Sequence, residues 1–97
     1  MERIPENDER IKLSEFFKVF SDPTRLHILY ILLEGETNVG TLSERMDISQ
    51  SAVSHQLKTL RQADLVKFRK EGRSIYYSLK DDHVSSIIRQ GREHINE

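Results

Sequence analysis

The stretch Thr41-Leu42-Ser43-Glu44-Arg45-Met46-Asp47-Ile48-Ser49-Gln50-Ser51-Ala52-Val53-Ser54-His55-Gln56-Leu57-Lys58-Thr59-Leu60-Arg61-Gln62 decides the fold. Leu42 and Met46, four residues apart, predict a short helix that begins near Thr41 and turns both side chains toward a core. Asp47-Ile48-Ser49 then reads as a tight connection, with Ser49 suited to cap a second helix from Gln50 to about Gln62. In that helix Val53, Leu57 and Leu60 share one face at spacings of four and three, while Ser51, Ser54, His55, Lys58 and Arg61 lie around the rest of the surface. Two short helices joined by three or four residues, the second polar and basic outside, make a helix-turn-helix pattern.

Downstream, Leu65-Val66-Lys67-Phe68-Arg69 and Ser74-Ile75-Tyr76-Tyr77-Ser78-Leu79 alternate as strands do, and Lys70-Glu71-Gly72-Arg73 between them suits a hairpin tip. A hairpin in that position, residues 65–79, is the wing of a winged helix. Upstream, Ile11, Phe16, Phe17, Val19 and Phe20 predict a first helix after a flexible stretch over residues 1–9. Asp22-Pro23 then reads as an N-cap followed by proline at the first helical position. Leu26, Ile28, Leu29, Ile31, Leu32 and Leu33 are too apolar for a surface helix, so the second helix should be the centre of the core until Gly35 ends it. His27 lies within that helix and is expected to be buried or half-buried.

The last helix should start at Asp81 or Asp82, where carboxylates favour the N-terminal dipole, and present Val84, Ile87, Ile88, Gly91 and Ile95 as an apolar seam. Gly91 costs about 1 kcal/mol relative to alanine in mid-helix and marks either the close approach of a partner helix or a weak point. The expected fold is mainly α with a small β-hairpin: a single winged helix-turn-helix domain over residues 1–97 that dimerises through its terminal helices.

Composition supports a partner. With 97 residues and 36% hydrophobic side chains the core is thin, and burying more surface in a dimer is the natural remedy. The absence of cysteine excludes a disulfide scaffold and any thiolate metal site. The polar N-terminus and the lack of any run of 18 or more apolar residues predict neither a signal peptide nor a membrane span, and the cytoplasm is the default location. Net charge is only −1, but it is unevenly placed: residues 50–75 carry six basic and two acidic side chains, against six and ten in residues 1–49. A positive segment in an acidic body suits a polyanion bound in one orientation. No nucleophile–base pair, glycine-rich phosphate loop or general base beside an open metal position is visible, so an enzyme is not expected.

Asp81, His83, His94 and Glu97 are four metal-binding side chains that one helix cannot bring together. At about 1.5 Å per residue, His83 and His94 lie roughly 16 Å apart, whereas metal bonds to nitrogen or oxygen are about 2 Å. Antiparallel packing against a second copy would set the Asp81/His83 end of one chain beside the His94/Glu97 end of the other. The spacing thus predicts a homodimer with two equivalent intersubunit sites.

Three segments, in order, resemble the ArsR/SmtB family of metal-sensing winged-helix repressors: Ser21-Asp22-Pro23-Thr24-Arg25-Leu26-His27-Ile28-Leu29, Ile48-Ser49-Gln50-Ser51-Ala52-Val53-Ser54-His55-Gln56-Leu57, and Lys70-Glu71-Gly72-Arg73-Ser74-Ile75-Tyr76-Tyr77-Ser78-Leu79. The resemblance covers about residues 10–97. Within the family, Asp-x-His followed by ten residues and His-x-x-Glu is similar to the zinc sensors' ligand set on the last helix, carried here by Asp81, His83, His94 and Glu97. The family's cysteine site near the third helix is replaced by Thr37-Asn38-Val39-Gly40.

The resemblance implies a metal-responsive transcriptional repressor. Its dimer would bind an inverted repeat in double-stranded operator DNA and be released by zinc, or cobalt, at the two intersubunit sites. The alternative is the same DNA-binding repressor answering a non-metal inducer. Gln50, Ser51, Ser54 and His55 are the expected base-edge contacts, and Lys58, Arg61, Lys67, Arg69, Lys70 and Arg73 the expected phosphate or minor-groove contacts. The resemblance further implies that the metal signal leaves through His94 toward Gln50 and Asp64.

Overall fold

Over residues 2–97, which the computed structural model describes, the elements run α1 (Asn7–Val19), α2 (Pro23–Leu33), β1 (Thr37–Asn38), α3 (Val39–Met46), α4 (Gln50–Gln62), β2 (Val66–Glu71), β3 (Ser74–Leu79) and α5 (Asp82–Ile95). The helix starts are set by side chains that accept orphan backbone N–H groups. Asp22 accepts from Arg25 N at 2.9 Å ahead of Pro23, Ser49 accepts from Ala52 N at 3.1 Å, and Asp81 accepts from His83 N at 2.9 Å. Two starts differ from the sequence expectation. α1 begins at Asn7, inside the stretch expected to be flexible, because Asp8 and Glu9 favour its N-terminal dipole and Glu6 O takes the Arg10 N–H at 2.9 Å. α3 begins at Val39 and not near Thr41, because Asn38 is its cap and accepts the Thr41 N–H at 2.8 Å.

The same Asn38 ends a third strand that the sequence reading did not include. The antiparallel sheet has the order β1-β3-β2, with Thr37 opposite Tyr77 and Asn38 opposite Tyr76. On the other side β2 pairs with β3 from Val66 opposite Leu79 to Glu71 opposite Ser74. Gly72 and Arg73 form the two-residue turn, and Gly72 has the positive φ of 60° that tight hairpin turns favour.

The core sits on α2. Ile28, Leu29, Ile31 and Leu32 are buried and pack with Leu42 of α3, Val53, Leu57 and Leu60 of α4, Leu65 and Val66 before and in the wing, and Val84 and Ile88 of α5. His27 is exposed, contrary to expectation, since it lies roughly 120° around α2 from the centre of the buried face. At the terminal helices the core is open. No α1 residue is buried, Phe17 is 55% and Ile95 80% exposed, and with Phe20, Leu26, Ile87 and Gly91 they line an apolar groove of about 680 Å³. A Cβ added at Gly91 would meet nothing within 4 Å, so no packing inside the protomer requires this glycine. Among the described residues no helix is long and apolar enough to cross a membrane.

Candidate nucleic-acid interface and metal half-sites

Burial of Val53, Leu57 and Leu60 turns the opposite side of α4 outward, and Gln50, Ser51, Ser54, His55, Lys58 and Arg61 are all exposed there. Gln50 stands close to the start of α3, its Nε2 4.0 Å from where a Cβ on Gly40 would lie. Lys67, Arg69 and Lys70 on β2 and Arg73 at the turn are exposed as well. The helix and the wing meet where the Arg61 guanidinium lies over the Phe68 ring, 4.1 Å from its centroid.

Arg69 differs from the other basic residues. Its Nε is 3.0 and 2.9 Å from the two carboxylate oxygens of Glu36, its Nη2 donates to Glu36 at 2.7 Å and its Nη1 to Glu71 at 2.7 Å. The guanidinium also lies 4.9 Å from the centroid of Tyr76. Hydrogen bonding to Arg69 holds the Glu36 carboxyl below its ordinary range, and the two carboxylates push the Arg69 guanidinium up. Arg69 therefore fastens the wing to the segment between α2 and β1, and its charge is compensated within the protomer.

The C-terminal residues form two separate pairs. Asp81 Oδ1 lies 3.4 Å from His83 Nδ1 at the start of α5, and His94 Nδ1 lies 3.5 Å from Glu97 Oε1 just past its end. Desolvation pushes the Asp81 carboxyl up, but the backbone N–H groups of His83 and Val84 and the His83 ring together hold it below its ordinary range. The histidine side chains are 92% and 80% exposed. Eleven residues of helix amount to about 1100°, so His83 and His94 point within roughly 20° of each other along one edge of the apolar seam. Among the described residues no three acidic or histidine side chains are grouped to hold a metal. Two imidazoles and two carboxylates are a donor set that fits a tetrahedral zinc or cobalt ion.

His94, Gln50 and Asp64 are not brought together directly. Asp64, in a left-handed conformation at φ 60°, is ion-paired with Lys80 at 3.3 Å, and His94 has Glu97 as its neighbour. The link from α5 to the body that the sequence reading missed is Tyr30, whose hydroxyl donates to Ile88 O at 2.5 Å. From α2, Arg25 Nη1 reaches Gln56 Oε1 of α4 at 3.4 Å. Nothing in the periodicity marks Tyr30 for this role, and Glu36 gives no signal because its partner is 33 residues away.

Residues 22–67 match the model of the family described as bacterial regulatory protein, arsR family. Over 90 residues the chain is 43% identical to a transcriptional repressor SmtB homolog of Synechocystis sp., covering 93% of this chain and 68% of that protein. It is 38% identical to a cadmium resistance transcriptional regulatory protein CadC homolog of Staphylococcus aureus, over 88% of this chain and 71% of that one. The solved structure of HlyU from Vibrio cholerae superposes with a TM-score of 0.84 at 34% identity, covering 95% of this chain and all of the other. These relatives are named as transcriptional regulators and not as enzymes, and the HlyU structure shares the fold described above. With that fold and this degree of identity, the chain belongs to the ArsR/SmtB family of winged-helix, DNA-binding transcriptional regulators.

Proposed function

We propose that the protein is a cytoplasmic, metal-responsive repressor whose homodimer holds operator DNA and releases it when zinc or cobalt binds. The observation that carries this reading is the division of four donors into two pairs at opposite ends of one helix. Asp81 and His83 of one protomer, with the partner's His94 and Glu97, would hold the metal, which supplies a cross-link between subunits and no catalysis. The names of the SmtB and CadC homologs, a repressor and a cadmium-resistance regulator, support the same class of signal.

On the DNA side, Gln50, Ser51, Ser54 and His55 near the start of α4 face base edges, while Lys58, Arg61, Lys67, Lys70 and Arg73 face phosphates or, at the turn, the minor groove. Two α4 helices of a dimer suit successive major grooves of an inverted repeat. Release follows from linkage: metal that binds better to the low-affinity dimer geometry weakens DNA by the same coupling free energy with which DNA weakens metal. The α5–α2–α4 contacts through Tyr30 and Arg25 give that coupling a physical path, beside the route from His94 toward Gln50 and Asp64.

DNA binding at buffered free zinc, with His83→Ala and His94→Ala variants alongside, tests the proposal. Loss of affinity on adding zinc in the wild type and not in the variants supports it; identical release in all three overturns it. A second reading, the same fold answering a non-metal inducer, is favoured by one observation. A relative 42% identical over 71 residues is named the transcriptional activator HlyU, so shared sequence does not by itself fix the signal.

A further inference from the structure

Two arginines stack on aromatic rings of the wing, and their surroundings are opposite. Arg69, over Tyr76, is engaged by Glu36 and Glu71. Arg61, over Phe68, has no carboxylate within ion-pair distance among the described residues, and its side chain donates no hydrogen bond there. A guanidinium held over a ring keeps N–H groups that the ring does not use, and these suit a phosphate. Its neighbours agree in sign. Lys58 is three residues earlier on α4 and Lys70 two residues beyond Phe68 on the same face of β2, both exposed. Phe68 itself is 38% exposed and rests on Tyr77, with centroids 6.0 Å apart, so its ring is supported from within the sheet.

We propose that Phe68 is a positioning residue for DNA binding: its ring holds the Arg61 guanidinium at the junction of α4 and the wing, ready for one backbone phosphate. Arg69, similar by sequence, is the wing's fastening and not a phosphate ligand. The proposal rests on the DNA-binding reading of α4 and the wing and assigns it a residue that touches no DNA. Without the ring, Arg61 keeps its charge but must be ordered on binding.

The test is fluorescence anisotropy with a labelled duplex of mixed sequence, since phosphate contacts are independent of sequence, over a salt series. Arg61→Gln should lower the slope of log K against log salt by about 1.8 per dimer, 0.9 for each phosphate lost. Phe68→Ala and Phe68→Leu should raise Kd roughly two- to fivefold for each stack, about five- to thirtyfold for the dimer. In the Arg61→Gln background the same changes should have no further effect, and Phe68→Trp should bind as the wild type does. Equal weakening by Phe68→Ala in both backgrounds would show a general packing role and overturn the proposal, as would unchanged Kd and slope. Thermal melts of each variant confirm that folded protein is compared. A wild type that fails to bind duplex at low salt would remove the DNA reading itself; steep wild-type binding with an indifferent Phe68→Ala removes only the role of Phe68.

Discussion

Mixing two inactive variants should recreate a metal site. In the proposed antiparallel dimer, His83→Ala removes one ligand from both sites, and so does His94→Ala. A heterodimer of one chain of each kind concentrates both losses in a single site and leaves the other complete. The 16 Å of helix between the two histidines, roughly eight times a metal–ligand bond, forbids any single chain from supplying both. Wild type should bind about one metal per chain, each variant homodimer close to none with full tetrahedral character, and an equimolar, co-refolded mixture about one quarter per chain, since half of its dimers are mixed and each holds one site. Cobalt is the convenient probe, because its visible absorption reports tetrahedral coordination; equilibrium dialysis against buffered zinc gives the stoichiometry. If like ends met instead, each variant homodimer would retain one of its two sites, and binding at half the wild-type stoichiometry before mixing would refute the antiparallel arrangement. Where the separate variants bind close to none, a mixture that also binds close to none would refute shared ligation.

Ile95→Glu, at a side chain 80% exposed in the protomer, should leave the folded content unchanged and shift the dimer toward monomer in sedimentation, by an amount comparable to the roughly 1.5–3 kcal/mol of burying one isoleucine for each copy. Tyr30→Phe removes the hydroxyl bonded to Ile88 O and should cost about 0.5–1.5 kcal/mol of stability by thermal melting, while reducing the ratio of DNA affinities without and with zinc. The Glu36–Arg69 pair has a definite pH sign. The Glu36 carboxyl is lowered from 4.5 by Arg69, so its stabilising effect is present above that value and lost as pH falls through the lowered one. The difference in melting temperature between wild type and Glu36→Gln should therefore shrink on acidification; a constant difference would contradict the role of the pair.

The parts of the fold legible in sequence were those with local period or local capping. The crowded leucines and isoleucines of α2, the four-and-three spacing of Val53, Leu57 and Leu60, and the Gly72 turn each carry their own signal, and the structure has them where the pattern puts them. β1 escaped because two residues have no period; it exists only through its pairing with Tyr76 and Tyr77, about 40 residues away. His27 was misjudged because it sits among apolar neighbours, although helical geometry carries it off the buried face. Arg69 shows the same limit at the candidate site: nothing local in the sequence announces that the Glu36 carboxylate, 33 residues away, engages it. Asp81/His83 and His94/Glu97 were legible as two separated pairs, since their distance along a helix is fixed by its rise, whereas Tyr30 was not, because a tyrosine's partner is invisible to periodicity.

The openness of the terminal helices and the placement of the donors have one cause in the proposed dimer. Covering what is still exposed of Phe17 (55%) and Ile95 (80%) in both protomers would gain about 4–8 kcal/mol, at roughly 1.5–3 kcal/mol for each fully buried side chain. Association costs an estimated 4–15 kcal/mol in lost freedom. The two are of the same order, so such a seam stays poised and additional ligation at its ends shifts it. Asp81/His83 and His94/Glu97 lie at the two ends of α5, along the edge of the seam that Ile87 and Gly91 continue. A thick, fully buried core would leave that helix no latitude to move. Here α5 is held to the body by Val84, Ile88, the Tyr30 hydroxyl bond and the Arg92 guanidinium 5.9 Å from the Tyr30 ring centroid, so a constraint applied at its exposed ends can reach α2, and through Arg25 and Gln56 the helix proposed to face DNA.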